Sequence, residues 1–434
     1  MTPSLKPRCA RLRSAVSAFV FCLTSVCLLS VSGHTQTLDR IERERVDQML
    51  QRLKADLEEH YYDPKYHGLD LDARFTAARE KLKQATSLGQ ALGIAAQTLL
   101  DLNDSHTFFL PPSRPGIVDY GWEMQMVGDK CYVVAVRPKS DAEKVGLKPG
   151  DLVVSVENFK PVRKDLWKMM YYFYALSPRR GLHIVVQSPG GEPRELDVPA
   201  KVREGNILDD NLVRKEGPRR HRFYKEGDVA VWKMLSFDLE EPEVDGKVGG
   251  INSSKTLILD LRGNGGGYEL TLVQLLGHLF DRKVKVGDIK RRTEVKPLHS
   301  NKLGGTPYQG KVIVLIDSES ASASELFART IQIEKRGIVM GDRSSGSVMR
   351  SKRHVHELGA SSVVFFGASI TDADIIMTDG SSLEHIGVIP DELLLPTAED
   401  LASTRDPVLA RALELAGVKM SPEKAGKLFP IEWK

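Results

Sequence analysis

TLILDLRGNGGG, residues 256 to 267, runs a continuous apolar segment straight into a glycine-rich turn. A short apolar run closed by such a turn reads as a strand buried on both faces. A helical pattern follows it from Glu269 to Phe280. The same order recurs downstream, with the apolar run Lys311 to Ile316, the polar turn DSESASASE (317 to 325) and a helical pattern from Ser324 to Glu334. Val229 to Met234, Ile338 to Met340 and Val363 to Phe366 add further strands. Strands alternating with helices in this way predict an α/β sheet covered on both faces.

Each of the two turns has a chemical and a structural reading. In the segment Asp260 to Gly267 the glycines allow positive φ and close approach of backbone to a ligand, with amides left free at a helix start. Such a turn can hold an anion or stabilise an oxyanion. No Lys-Ser/Thr pair follows it and its spacing is not the dinucleotide fingerprint, so nucleotide binding is not what it predicts. The plain alternative is a tight turn without a ligand. Ser322 stands where a strand gives way to a helix, a position that exposes a hydroxyl beside free N-terminal amides. It equally fits a simple N-cap, with Glu325 as its capping-box partner. Brought together by neighbouring strands, the two turns would supply a nucleophile and oxyanion donors.

Upstream, the pattern from Leu38 to about Leu110 is helical, with Val46, Met49, Leu50, Leu53 and Leu57 on one face and Pro64 as a stop. It ends in a polar knot, Asp101 to Thr107, and a proline-rich linker at Pro111-Pro112 and Pro115-Gly116. From Ile117 to Ala200 short strands surround one aromatic-rich helix, Asp165 to Leu176, which predicts a small β-rich module. The expected division is a leader at residues 1–33, a helical part at 34–114, the β-rich module at 115–203, the α/β domain at 204–405 and a helical tail at 406–434.

With 434 residues the chain is too long for one compact core. A net charge of +3 without a basic stripe argues against a nucleic-acid partner. Lys6, Arg8, Arg11 and Arg13, the apolar stretch Ala15 to Leu29 and the small residues Ser30, Ser32 and Gly33 have the order of a secretory signal peptide. An uncleaved anchor is the alternative, and no later stretch is apolar enough to span a bilayer. Cys9, Cys22 and Cys27 lie in that leader, leaving Cys131 in a strand-like apolar run as a core residue with no disulfide partner. His354 and His356 alternate on one strand face, but no third ligand cluster is evident. A solvated strand edge and no metal site are expected there.

Four motifs, LILDLRGNGGG (257 to 267), SASASELFA (320 to 328), VMGDRSSG (339 to 346) and LEHIGVIPDE (383 to 392), together resemble the C-terminal processing proteases and the catalytic core of tricorn protease. The resemblance implies a ClpP/crotonase-like α/β catalytic domain with Ser322 as nucleophile and the amides of Gly267 and Ala323 as oxyanion hole. Many members use a lysine base, and that position falls on Ser347 here. Lys352 lies nearby but off the motif. The tricorn branch instead uses a serine-histidine pair and a distant glutamate, which Ser105-His106 and Glu384 match. AEKVGLKPGDLVVSVE (142 to 157) resembles an inserted PDZ domain, which would bind a peptide C-terminus near Tyr120, Gly121 and Trp122. The resemblance thus implies an exported, periplasmic or secreted serine endopeptidase. Its substrates would be unfolded polypeptides entered near their C-termini, it would need no cofactor, and it could self-assemble. A non-catalytic peptide- or ligand-binding protein and an acyl-CoA-handling enzyme of related fold are the alternatives.

Overall fold

The computed structural model describes residues 38–114, 116–203, 221–359 and 363–433. The leader expected at residues 1–33 lies outside them, as does most of the charged stretch from Arg214 to Arg222. Three helices come first: α1 (Arg40–His60), α2 (Leu71–Lys83) and α3 (Leu88–Leu100). Each begins at a side-chain cap, where Asp39, Asp70 and Ser87 accept from the amides of Glu42, Ala73 and Gln90. α1 ends before Pro64, and its apolar face from Val46 to Leu57 is buried. That core is completed by Phe109 and by Phe366, Ala368 and Ile370 from the far end of the chain. The helices therefore close one face of a distant sheet instead of forming a core of their own.

After β1 (Phe108–Leu110) and β2 (Ile117–Asp119) the chain enters an antiparallel meander. Its elements are β3 (Trp122–Val127), β4 (Lys130–Val136), the short α4 (Asp141–Lys144), β5 (Leu152–Val156), α5 (Leu166–Tyr171, extended by a π-helical turn), β6 (Gly181–Gln187) and β7 (Pro193–Pro199). β8 (Lys201–Arg203) then pairs antiparallel with β2, Ile117 facing Arg203. The module thus leaves and rejoins the chain through one strand pair, as an insertion must. Cys131 is buried in its core, and burial pushes the thiol up to about 12, so it is inert at neutral pH.

The rest of the chain comprises β9 (His221–Glu226), β10 (Val229–Met234), α6 (Glu241–Ile251), β11 (Thr256–Asp260), α7 (Glu269–Gly277), β12 (Lys285–Lys290), β13 (Val295–His299) and β14 (Lys311–Ile316). It continues through α8 (Ala323–Ile333), β15 (Gly337–Gly341), β16 (Met349–Leu358), β17 (Val364–Met377), β18 (Glu392–Leu393), α9 (Ala398–Ala402), α10 (Pro407–Leu415) and α11 (Pro422–Ala425). Six strands form the central sheet in the order β18-β15-β14-β11-β10-β9, parallel except for β9. Alternation along each strand sends Trp232, Leu257, Leu259, Val312 and Val314 to a core shared with α6, α7 and α8. It sends Val231, Ile258, Ile313 and Leu315 to the other face, where Leu409 and Leu413 of α10 cover them. The C-terminal helices are therefore a structural layer of the α/β sheet.

The second sheet runs β1-β17-β12-β13, with β16 also on β17. β17 is longer than the strand expected from Val363 to Phe366. Its later residues include Ser369 and Thr371, buried and hydrogen-bonded to Ser351 and Asp104, which break the apolar pattern that marks a strand.

At the end of β11, Arg262 bridges Asp260 and Asp406 with paired bonds of 2.8–2.9 Å and 2.7–2.9 Å. Asp406 also caps α10 through the Leu409 amide. Burial alone would raise the Asp260 carboxyl, but Arg262 and Lys233 hold it well below the usual range. Arg262→Ala strips a buried carboxylate of its main partner and frees the α10 layer, so a loss of about 3–5 kcal/mol is expected in equilibrium denaturation. A loss under about 1 kcal/mol would show that the clamp is dispensable.

Candidate active site

Ser322 occupies the N-cap position of α8, but its backbone is not that of an ordinary cap. Its φ of 57° and ψ of −118° lie far from the extended conformation that caps adopt. Positive φ is costly for a residue with a Cβ and survives only where neighbours enforce it. Here the Ser322 amide faces both Ser347 O at 2.8 Å and Glu325 Oε2 at 3.0 Å. The capping arrangement with Glu325 is present, and it serves to hold a strained serine.

The glycine turn packs directly against this serine. An alanine Cβ at position 266 would lie 2.7 Å from Ser322 Cβ and 3.1 Å from Ala323 N. Gly267 has φ of +148° and lies against Phe237, whose carbonyl oxygen a Cβ would meet at 2.2 Å. Asn264 joins the two turns. It is buried, its Oδ1 accepts the Gly266 amide at 2.8 Å, and its carbonyl accepts Ala321 N–H and Ser324 Oγ–H at 2.9 Å each. Among the described residues no acceptor takes the amides of Gly267 or Ala323. The two N–H groups are thus available to an oxyanion beside Ser322.

Ser105 and His106 lie in the polar knot before β1. Ser105 Oγ donates to Glu384 Oε2 at 2.9 Å and its amide donates to Oε1 at 2.8 Å, across 279 residues of chain. The same hydroxyl lies 2.8 Å from His106 Nδ1. A serine hydroxyl has one proton. Since that proton is donated to Glu384, Ser105 accepts from Nδ1–H, which leaves the lone pair on Nε2. Burial lowers the His106 imidazole below its ordinary value, with Asp104 opposing. The neutral, proton-accepting form therefore prevails at neutral pH. Burial raises the Glu384 carboxyl, against the amides of Val348 and Ser105. His106 Nε2 and Ser322 Oγ are not joined by a hydrogen bond in this structure, a link that in many ligand-free sites tightens only with substrate.

Asp104 fixes the knot. Buried at 2% exposure, it accepts from Tyr61 Oη, Thr371 Oγ1 and the amides of His106 and Thr107. His106 is therefore tied to Asp104 through its backbone, leaving the ring to Ser105. The loop of Glu384 is clasped from the other side, His385 Nε2 lying 2.7 Å from Asn103 O. Sequence reasoning missed Asn264, Val348 and the bracing role of Asp104. Asp104 and Asn264 sit inside motifs already singled out, whereas the amide of Val348 carries no sequence signal.

At the position of the missing lysine, Ser347 gives its carbonyl to Ser322 and its hydroxyl contacts Ser345 at 3.0 Å. Lys352 points outward, 64% exposed and 3.9 Å from Asp372. In the inserted module the Gly121 amide is already donated to Asp119 Oδ1 at 2.9 Å, so Gly121 offers no free donor. Tyr120 and Trp122 are core residues, 2% and 4% exposed. The edge of β3 reaches the serine turn instead: Gln125 Nε2 donates to Asp317 Oδ2, and Ser318 Oγ donates to Met126 O.

Residues 228–394 match the family model described as Peptidase family S41. The chain is 25% identical over 302 residues to the tail-specific protease of Haemophilus influenzae, covering 65% of this chain and 42% of that protein. It is 26% identical over 262 residues to the carboxy-terminal processing protease CtpB of Bacillus subtilis, covering 58% and 49%. The chain thus spans about half the length of these curated relatives or less. Its fold is similar to a solved chain described as mature CPAF complexed with lactacystin, with a TM-score of 0.63 and 16% identity over 83% of this chain and 96% of that one.

Gly266→Ala would drive a methyl into Ser322 at positive φ, so the turn has to open. A loss of about 1–3 kcal/mol is expected, with reactivity at Ser322 falling further than stability. Thermal melts and labelling of the same samples with a serine-directed fluorophosphonate probe separate the two, and an unchanged labelling rate would refute the contact.

Proposed function

We propose that this chain, whose residues 228–394 are a peptidase S41 domain, is a serine endopeptidase that cleaves polypeptides through an acyl-enzyme. The observation that carries the reading is the hydrogen-bonded run Glu384–Ser105–His106. A chain of carboxylate, hydroxyl and neutral imidazole has no evident packing role, and it supplies the base that the missing lysine would have provided. In this reading Ser322 Oγ attacks the scissile carbonyl as His106 Nε2 takes its proton. The imidazolium then gives that proton to the leaving amine. Ser105 orients the ring, and Glu384 holds Ser105 and favours the charged imidazole. The amides of Gly267 and Ala323 stabilise the oxyanion of each tetrahedral intermediate.

Substrate would be an extended segment added as a strand along the edge of β3 before Met126, whose carbonyl Ser318 already takes. That edge leads toward Asp317 and Ser318, at the start of the serine turn. The names of the relatives support substrates engaged near their C-termini. The occupied Gly121 amide argues for edge pairing as the main contact over carboxylate capture at Tyr120, Gly121 and Trp122. The leader pattern at residues 1–33 supports an exported protein, and no helix among the described residues is long and apolar enough to cross a membrane.

A fluorophosphonate probe tests the mechanism. The unaltered protein is expected to label, Ser322→Ala not at all, and His106→Ala at least about 100-fold more slowly. Equal labelling of the three, or none of the unaltered protein, removes the proposal. A second expectation concerns pH. The base works only unprotonated, and burial lowers its pKa, so the acid limb of kcat/KM on an unfolded polypeptide lies below the ordinary imidazole value of 6.5. A limb at or above that value would point to another base.

A further inference from the structure

Behind the helical layer, two elements bring four metal-ligating side chains together. Asp56 and His60 are four residues apart on α1 and share a face. His354 and His356 are two apart on β16 and share a face of the strand. β16 is an edge strand, as expected from sequence, but this face of it meets α1, so the two histidines are only partly exposed. Asp56 is 7% exposed and accepts His356 Nε2–H at 2.8 Å. The ligand atoms of Asp56, His60 and His354 all lie within 4.8 Å of one another. The rings of His60 and His354 stack with centroids 4.1 Å apart.

Packing explains part of this arrangement. Stacking accounts for the two rings and the Asp56–His356 bond accounts for the carboxylate. Neither accounts for His354 Nε2, which is buried without a hydrogen-bond partner. An unsatisfied buried nitrogen is costly, and here it lies beside a buried carboxylate and a second imidazole.

We propose that Asp56, His60 and His354 bind a divalent transition-metal cation of the zinc class, with His356 holding the Asp56 carboxylate in place. Two imidazoles and one carboxylate suit such an ion, whereas calcium and magnesium favour all-oxygen shells. Ligand atoms on one zinc lie roughly 3–3.5 Å apart, and aiming both imidazole lone pairs at one ion requires ring rotation that breaks the stack. A fourth position stays open to water. The ion would pin α1 to β16. His354 faces Ala368 of β17, which on its other side faces Phe109, three residues beyond His106. The site is separate from Ser322 and does not rest on the peptidase reading.

The test uses the full chain, stripped with a chelator and titrated with zinc chloride alone. One zinc per chain is expected by calorimetry and elemental analysis, with a rise in Tm of about 2–5 °C at saturation. His60→Ala and His354→Ala should each weaken binding at least about tenfold and abolish the rise, and His356→Ala should weaken it about tenfold. Cobalt(II) added to the stripped unaltered protein should give the visible absorption of a four-coordinate nitrogen–oxygen site, a readout independent of how the variants fold. Absence of both stoichiometric zinc and the cobalt spectrum, or undiminished zinc binding in His60→Ala and His354→Ala, overturns the proposal.

Discussion

Four hydrogen-bond donors converge on the carboxylate of Glu325: Ser344 Oγ at 2.6 Å, and the amides of Gly346, Ser347 and Ser322 at 2.7, 3.0 and 3.0 Å. The group is fully buried and, among the described residues, has no ion-pair partner. Burial pushes its carboxyl up to about 7, with the four hydrogen bonds pulling the other way. A buried carboxyl group held only by hydrogen-bond donors fixes each donor that holds it. Glu325 therefore sets the backbone of Ser322 relative to the loop at 344–347, and that loop leads directly to the Val348 amide that holds Glu384.

The candidate site is thus assembled by relays between loops. Glu325 joins the serine turn to residues 344–347, Asn264 joins it to the glycine turn, and Glu384 joins both to the knot that carries Ser105 and His106. Asp104 braces that knot against Thr371 of β17. The strain at Ser322 is tolerated because these contacts over-determine its conformation.

The inserted module is tied to the same loops. Arg163 donates to Asp342 and to the carbonyls of Gly128 and Arg343, while the Gly128 amide donates to Asp342. Gln125 and Met126 meet Asp317 and Ser318. Asp317 and Ser318 lie just before the serine turn, and Asp342 and Arg343 just before the loop that Glu325 holds. The module is therefore hydrogen-bonded to the two segments that position Ser322.

The α/β sheet and the two turns at its strand ends were legible in the sequence because both are local. An apolar run and an adjacent glycine or serine cluster carry their meaning within a dozen residues. Residue order alone could not decide between helix cap and nucleophile at Ser322, since both use the same serine and the same Glu325. The positive φ, the unpaired amides and the Glu384–Ser105–His106 run exist only after strands distant in sequence are paired. The sequence alone also left β17 short, because buried Ser369 and Thr371 look polar until Ser351 and Asp104 are seen beside them. His354 and His356 read as a solvated edge until α1 is laid across them with Asp56 and His60. Local hydrophobic pattern determined the layers of this protein. Pairings between buried polar groups, which have no periodicity and act across hundreds of residues, were decided by the tertiary structure.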